Sequence, residues 1–146
     1  MYKIVVEIKF RLVSKSEDET RKAAKRVVES FIVNKRRYLV FLKGELGSGK
    51  TTFVRYALET LGVREDEFKG SPTFTIVNEY RDNIYHIDLY RIGSAEELIE
   101  SGIYDYFERD GIFFVEWPEV LDEKPDLLLE LKDLGDSVRE IYVYSS

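Results

Sequence analysis

Residues 44–51 read GELGSGKT and fit the pattern G-x-x-x-x-G-K-[ST] at every defined position. The apolar run Tyr38–Lys43 precedes this stretch, and Thr51–Leu61 follows it with apolar residues at helical spacing. A strand, a glycine-rich turn and a helix in this order are the context in which the pattern indicates a phosphate-binding loop. We therefore predict that the chain binds a nucleoside triphosphate, ATP, together with Mg²⁺.

The glycines of this loop suit a backbone that closes around phosphate groups. Gly44 and Gly49 permit backbone angles that a side chain would forbid, and Gly47 lets the backbone approach the phosphates. Successive N–H groups then point inward as an anion-binding nest, and the N-terminus of the following helix adds roughly half a positive charge. The alternative, a glycine-rich turn with an exposed lysine, does not account for the full pattern and its flanks.

The polar residues at the end of the loop predict how the ligand is held. Lys50 supplies a mobile positive charge for the β- and γ-phosphates, Thr51 offers a hydroxyl to Mg²⁺, and Thr52 offers one to the α-phosphate region. A magnesium site of this kind needs an acidic residue at the end of a neighbouring apolar strand. Both Asp88 and Glu116 fit that description, and their residue types do not decide which one holds the metal and which one orients water.

Two further features near these acids have a functional and an ordinary interpretation. Ser71-Pro72-Thr73 follows the loop helix, where nucleotide switches carry a hydroxyl that senses the γ-phosphate, but the same residues also form a common turn. His86 is the only histidine in the chain, and we interpret it as a strand residue near the site.

Alternating and helical patterns divide the chain into strands and helices. Ser16 and Ser94 each begin a capping box, and strands that alternate with helices predict an α/β fold. We expect a P-loop NTPase-like sandwich with a largely parallel central sheet, antiparallel edge strands and flanking helices. The predicted strands are Tyr2–Leu12, Tyr38–Lys43, Thr75–Tyr80, Ile84–Asp88, Ile112–Glu116, Leu127–Leu131 and Glu140–Tyr144, and the predicted helices follow Ser16, the loop and Ser94, with a further one at Ile103–Glu108.

Length and composition exclude several classes of protein. The 146 residues predict one domain over 1–146, and the absence of cysteine excludes disulfides and thiolate metal sites. The N-terminal residues lack the features of a signal peptide and no apolar stretch is long enough to span a bilayer, so we expect a cytoplasmic protein without membrane association. The absence of glutamine and the many Glu, Lys and Arg residues are typical of a thermophile.

A formal net charge of −6 argues against a protein that binds tRNA strongly by itself. The basic run Lys35-Arg36-Arg37 is too short to change this expectation. Charge and sequence leave the oligomeric state open.

The motifs GELGSGKTTF, SPTF, HIDLYR and VEWPE, taken together, resemble the TsaE (YjeE) family. The resemblance covers essentially the whole chain, and Glu45, where the family more often has Asp, is a small departure. It implies an ATPase of bacterial tRNA threonylcarbamoyladenosine biosynthesis that binds the TsaB–TsaD complex. In that role the ATPase resets a complex that modifies adenosine 37 of tRNAs reading ANN codons.

The resemblance also implies roles for individual residues. The catalytic residues would be Lys50, Asp88, Glu116 and Thr73, with Asp88 acting on water and Thr73 as a switch. Thr51 and Glu116 would be the ligands of Mg²⁺. The nucleotide would lie against Gly47, Ser48, Gly49, Lys50, Thr51, Thr52, Trp117 and Arg139, with Ser16 to Thr20 near the adenine.

Three other functions compete with this interpretation. A small-molecule kinase usually needs an arginine-bearing lid, and the connection from Leu61 to Thr75 contains only Arg64. A GTPase usually carries an N-K-x-D element late in the chain, whereas Asn34-Lys35 precedes the loop and has no Asp at position 37. A non-enzymatic partner module, stabilised by nucleotide, would not require both Asp88 and Glu116, but a slow turnover would leave this alternative open.

Overall fold

The structure is a computed structural model that describes residues 7–32, 37–72, 75–81 and 83–145. Within these ranges, no helix combines the length and the apolar character that a bilayer span requires. The strands are β1 (Glu7–Ser14), β2 (Arg37–Lys43), β3 (Val77–Tyr80), β4 (Ile84–Asp88), β5 (Gly111–Glu116), β6 (Leu127–Gly135) and β7 (Val138–Ser145). The helices are α1 (Glu17–Phe31), α2 (Lys50–Thr60), α3 (Ala95–Glu100) and α4 (Ile103–Phe107), with 3₁₀ turns at Glu65–Glu67 and Pro118–Val120.

The described strands form one seven-stranded sheet in the order β1-β7-β6-β2-β5-β4-β3. The four central strands, β6, β2, β5 and β4, are parallel to one another, and antiparallel pairs complete both edges. The predicted α/β architecture is therefore confirmed. Because the carboxyl ends of β2, β4 and β5 meet at one edge, the loops that follow these strands lie together, where open α/β sheets bind ligands.

The outer strands differ from those predicted. Residues 2–6 of the expected first strand lie outside the described residues, and β1 continues past Leu12 to Ser14 to pair with β7. β6 continues to Gly135 because Asp136 and Ser137 both have positive φ, as in the two-residue hairpin turns whose twist matches that of the strands.

Helix α1 begins where its capping pattern predicts. Ser16 Oγ accepts a hydrogen bond from the N–H of Glu19 at 3.1 Å, and the Glu19 carboxylate accepts one from the N–H of Lys15 at 2.7 Å. The helix then presents one apolar face to the sheet, beside α2. The residues buried on that face are Thr20, Ala23, Ala24, Val27 and Val28.

Side chains alternate between two cores, one on each face of the sheet. Along β2, Val40 and Leu42 face the core shared with α1 and α2, whereas Phe41 faces the core shared with α3 and α4. The same alternation in β4 and β5 directs the last side chain of each strand, Asp88 and Glu116, toward the face that carries α2.

A paired carboxylate near the β1 edge makes the stability of the fold depend on pH. Arg11 on β1 donates a hydrogen bond from Nε to Oε2 of Glu140 on β7 at 2.5 Å. This hydrogen bond lowers the pKa of Glu140 from its ordinary value of 4.5. A carboxyl group with a depressed folded-state pKa stabilises the fold above its unfolded pKa, and that contribution is lost as the pH falls through the folded pKa.

We expect Glu140→Gln to lower the free energy of unfolding near neutral pH, with a difference from wild type that shrinks as the pH falls below 4.5. Urea denaturation over a pH series measures this change. Glu29→Gln, which removes a carboxylate from the exposed face of α1, is the control. A difference at Glu140 that stays constant across the series would contradict the role of its ionised form.

Candidate functional site

The predicted phosphate-binding loop connects β2 to α2. Gly49 is the N-cap of α2 and has a φ of +101°, a left-handed conformation that residues with a side chain rarely adopt. Gly44 lies so close to β6 that an added Cβ would be 2.6 Å from the carbonyl oxygen of Leu131. The path of the loop therefore requires glycine at both positions.

The N-terminus of α2 presents an environment that favours an anion. Gly49 has no side chain that could cap the first N–H groups, and the first turn contains no acidic residue. The free N–H groups and the helix dipole therefore leave a partial positive charge at the loop. Ser48 is only 2% exposed, and its Oγ has no hydrogen-bond partner among the described residues. A buried hydroxyl of this kind is available to hydrogen-bond a polar ligand.

The ammonium group of Lys50 lies inside the loop. Lys50 is 5% exposed, and its Nζ donates hydrogen bonds to the carbonyl oxygens of Gly44 and Glu45. The same Nζ lies 3.8 Å from the ring centroid of Trp117. Burial lowers the pKa of Lys50, although nearby carboxylates favour its charged form. Its present partners are neutral, and a phosphate would form stronger, charge-assisted hydrogen bonds with it.

A hydroxyl and a carboxylate meet beside the loop. Thr51 Oγ1 donates to Glu116, with distances of 3.1 Å and 3.0 Å to the two carboxylate oxygens. Glu116 is 2% exposed, and its Oε2 also lies 2.6 Å from Nε2 of His86. Glu116 is therefore the acid that contacts the loop helix, a distinction that the sequence left open.

Oxygen donors of this type fit a hard divalent cation such as Mg²⁺, which protein sites commonly bind through one or two carboxylates together with phosphate oxygens and water. No cluster of three or more His, Cys, Asp or Glu side chains suited to a metal occurs among the described residues. A cation held by Thr51 and Glu116 would therefore need further oxygen ligands from a bound phosphate and from water.

Asp88 lies at the end of β4, directly beside the end of β5. The strand register pairs Asp88 with Glu116. The Asp88 carboxylate accepts a hydrogen bond from Ser71 Oγ at 2.6 Å and another from the N–H of Tyr90 at 2.9 Å. Thr73, the predicted switch residue, lies outside the described residues, but Ser71 connects the start of its segment to the site.

A cavity of about 380 Å³ joins the loop to both acids. Trp117 forms part of its wall, with its ring 4.9 Å from that of Tyr90. Trp117 has a φ of +57° and precedes Pro118. Such strained residues cost on the order of 1–3 kcal/mol and cluster at functional sites. The residues that line the cavity are Glu45, Leu46, Gly47, Ser48, Gly49, Lys50, Thr51, Thr52, Ser71, Asp88, Tyr90, Glu116, Trp117 and Arg139.

A second cavity adjoins the first along the loop and brings together the residues expected near the adenine. Arg139, on β7, lines this cavity together with loop residues and the start of α1, and its Nη1 is 2.9 Å from Asp133 Oδ1. The lining residues are Ser16, Glu17, Thr20, Ser48, Gly49, Thr52, Leu131, Ser137, Arg139 and Ile141.

A family model described as "Threonylcarbamoyl adenosine biosynthesis protein TsaE" matches residues 14–141 of this chain. The chain belongs to the TsaE family. The resemblance inferred from the sequence motifs is therefore confirmed. The matched residues include the loop, both acids and Arg139, so the geometry described above belongs to the region that defines TsaE.

Individual members of the TsaE family are similar over almost the full chain. The protein named "tRNA threonylcarbamoyladenosine biosynthesis protein TsaE" from Aquifex aeolicus is 34% identical over 142 residues, or 95% of this chain and 98% of the relative. The protein of the same name from Bacillus subtilis is 36% identical over 141 residues, or 92% and 84%. The crystal structure of Bacillus subtilis YdiB matches with a TM-score of 0.74 at 29% identity, covering 98% of this chain and 88% of that chain.

Sequence reasoning missed one contact at this TsaE site. The sequence predicts His86 only as a strand residue near the site, whereas in the structure it is fully buried and its ring contacts Glu116. The alternation along β4 indicates that His86 and Asp88 share a face, and this pattern is sufficient to predict that His86 faces the same side of the sheet as the site. The contact itself depends on the register between β4 and β5, which the residues of either strand alone do not reveal.

Proposed function

We propose that this chain is a Mg²⁺-dependent ATPase subunit required for threonylcarbamoylation of adenosine 37 in tRNAs that read ANN codons. It acts on the TsaB–TsaD complex and permits repeated turnover. The observation that carries the ATPase proposal is the contact of Thr51 with Glu116 beside the phosphate-binding loop. Family membership supports the pathway. Because the product is a modified tRNA, the proposal places the protein in the cytoplasm.

The triphosphate binds along Gly47–Thr52. Loop N–H groups and the Ser48 hydroxyl hold its oxygens, and Lys50 exchanges its neutral partners for the β- and γ-phosphates. Trp117 covers the space in which the β- and γ-phosphates bind, because its ring contacts the Lys50 ammonium. The nucleoside lies toward Arg139 and Ser16, in the second cavity.

Thr51 and Glu116 hold Mg²⁺ together with phosphate oxygens. Bound there, the ion neutralises charge that develops on the transferred phosphoryl group. The two protein residues determine where the ion is held, because Thr51 is fixed by the first turn of α2 and Glu116 is fixed by the end of β5.

Asp88 orients the water that attacks the γ-phosphorus, and the products are ADP and phosphate. Each oxygen of an ionised carboxylate accepts two hydrogen bonds, so the contacts with Ser71 and Tyr90 leave lone pairs for water. Thr73 acts as the switch that responds to the γ-phosphate. Its proximity in sequence to Ser71 connects that response to Asp88.

The isolated chain should hydrolyse ATP slowly, because water positioning is completed when TsaB–TsaD binds. Help from a partner accelerates phosphoryl transfer by about 10³–10⁵ in well-studied systems. We expect ATPase activity to rise by at least tenfold when the TsaB–TsaD complex is added. The isolated protein, with a net charge of −6, should bind tRNA poorly at physiological salt.

A multiple-turnover assay with purified components tests the pathway role. With wild-type protein and ATP, each TsaD should modify many tRNAs, whereas Glu116→Ala should limit the reaction to about one round. Equal numbers of modified tRNAs per TsaD with the two proteins would refute the reset role. A single-round assay under the same conditions controls for damage to the modifying complex itself.

A further inference from the structure

His86 is a buried polar side chain to which the mechanism above gives no role. It lies in the middle of β4 with 0% exposure, on the face that carries α2. Its Nε2 is 2.6 Å from Oε2 of Glu116, and its Nδ1 is buried without a hydrogen-bond partner among the described residues. The ring also stacks on Phe68, with a centroid separation of 6.2 Å and an interplanar angle of 14°.

These contacts define where the ring carries its hydrogen. An ionised carboxylate only accepts hydrogen bonds, so the contact with Glu116 requires a hydrogen on Nε2. A second hydrogen on Nδ1 would be a buried donor with no acceptor among the described residues, and buried N–H groups without an acceptor are rarer in native proteins than buried acceptors without a donor. The Nε2–H tautomer therefore satisfies the site best, and it directs a fixed donor at one oxygen of Glu116.

We propose that His86 is a positioning residue for the metal ligand: its Nε2–H holds Oε2 of Glu116 so that the carboxylate meets the Thr51 hydroxyl in one orientation. This inference rests on the proposed Mg²⁺-dependent function. Hydrogen bonds from neighbouring groups orient metal ligands in other proteins, and their removal typically costs 10–100-fold in metal affinity or activity. Stacking on Phe68 fixes the ring, so the donor keeps its direction when the metal and nucleotide exchange.

The same contact also explains why a histidine suits this place better than another residue. Its ring fills space between the sheet and Phe68, while one nitrogen reaches Glu116 from the neighbouring strand. Phenylalanine would keep the ring and lose the donor. Glutamine places an amide N–H at a similar distance from the backbone, whereas asparagine is shorter and would not reach.

Calorimetric titration of the non-hydrolysable ATP analogue AMP-PNP at a series of Mg²⁺ concentrations tests the proposal. We expect His86→Phe to raise the Mg²⁺ concentration needed for half-maximal binding by about 10–100-fold, and to leave the much weaker binding without Mg²⁺ unchanged. His86→Gln should restore most of the Mg²⁺ response. Wild-type Mg²⁺ dependence in a folded His86→Phe protein would overturn the proposal.

Two further comparisons keep the outcome decisive. If His86→Phe does not fold, His86→Gln and His86→Asn are compared by the same titration. A shift in the Asn variant alone supports positioning, and equal behaviour of both with wild type overturns it. A wild-type protein whose AMP-PNP binding ignores Mg²⁺ would refute the proposed function instead, so the two failures remain distinct.

Discussion

Replacing Glu116 with alanine should reduce ATP hydrolysis by about a hundredfold or more, because the change removes the proposed ligand of Mg²⁺ and not merely a group that orients one. Glu116 is the acid in contact with Thr51, and it is almost fully buried. Asp88 lies in a different hydrogen-bond network, because its carboxylate accepts hydrogen bonds from Ser71 Oγ and from the N–H of Tyr90. Substitutions of the two acids should therefore affect ATP binding and hydrolysis in different ways.

Hydrolysis and binding measured on the same variants separate the two roles. Glu116→Ala should lose both turnover and the Mg²⁺ dependence of ATP binding. Asp88→Asn keeps a side chain of the same shape, so it should bind ATP with Mg²⁺ and lose turnover. Glu119→Ala, at an exposed acid close in sequence to Glu116, is the matched control for a change in charge and should keep wild-type activity. Normal hydrolysis by Glu116→Ala or Asp88→Asn in the presence of TsaB–TsaD would remove that residue from the catalytic site.

Lys50→Ala should weaken ATP binding by at least tenfold, which corresponds to about 1.4 kcal/mol. The variant removes the positive charge that lies inside the loop, where it now contacts the carbonyl oxygens of Gly44 and Glu45. Because burial already lowers the pKa of Lys50, placing the charge there is costly without an anion, and bound phosphates would relieve that cost. The substitution should therefore affect the bound state far more than the free protein.

Calorimetry with ATP and Mg²⁺ measures the loss, and thermal unfolding without nucleotide measures the state of the fold. Lys43→Ala provides a control with the same change in net charge, because Lys43 ends β2 just before the loop. That control should bind ATP within about twofold of wild type. Unchanged ATP affinity in a folded Lys50→Ala protein would rule out the phosphate-binding role of the loop.

Local sequence patterns were sufficient where the structure depends on neighbours along the chain. The loop at Gly44–Thr51 requires glycine for its own backbone angles and for its approach to β6. The cap at Ser16 forms within one turn of helix, so its residues predict it directly. The apolar run of β5 likewise predicts that Glu116 lies at a strand end.

The outer part of the sheet could not be predicted in the same way. The pairing of β1 with β7 joins residues that are distant in sequence, and the residues of neither strand specify which strand it pairs with. The greater length of β6 depends on the positive φ angles of Asp136 and Ser137. These residue types are common in many kinds of turn, so they do not by themselves predict this hairpin. In both cases the hydrogen bonds that extend the strand come from another segment of the chain.

The sequence by itself determined the fold class, the family and the set of residues that gather at one sheet edge, because motif spacing and side-chain alternation are properties of consecutive residues. Tertiary structure alone decided how those residues divide into groups: Glu116 with Thr51 and His86, and Asp88 with Ser71. These contacts join residues 17 to 65 positions apart. Their formation depends on strand register and on the position of α2 over the sheet, which only packing of the whole chain establishes.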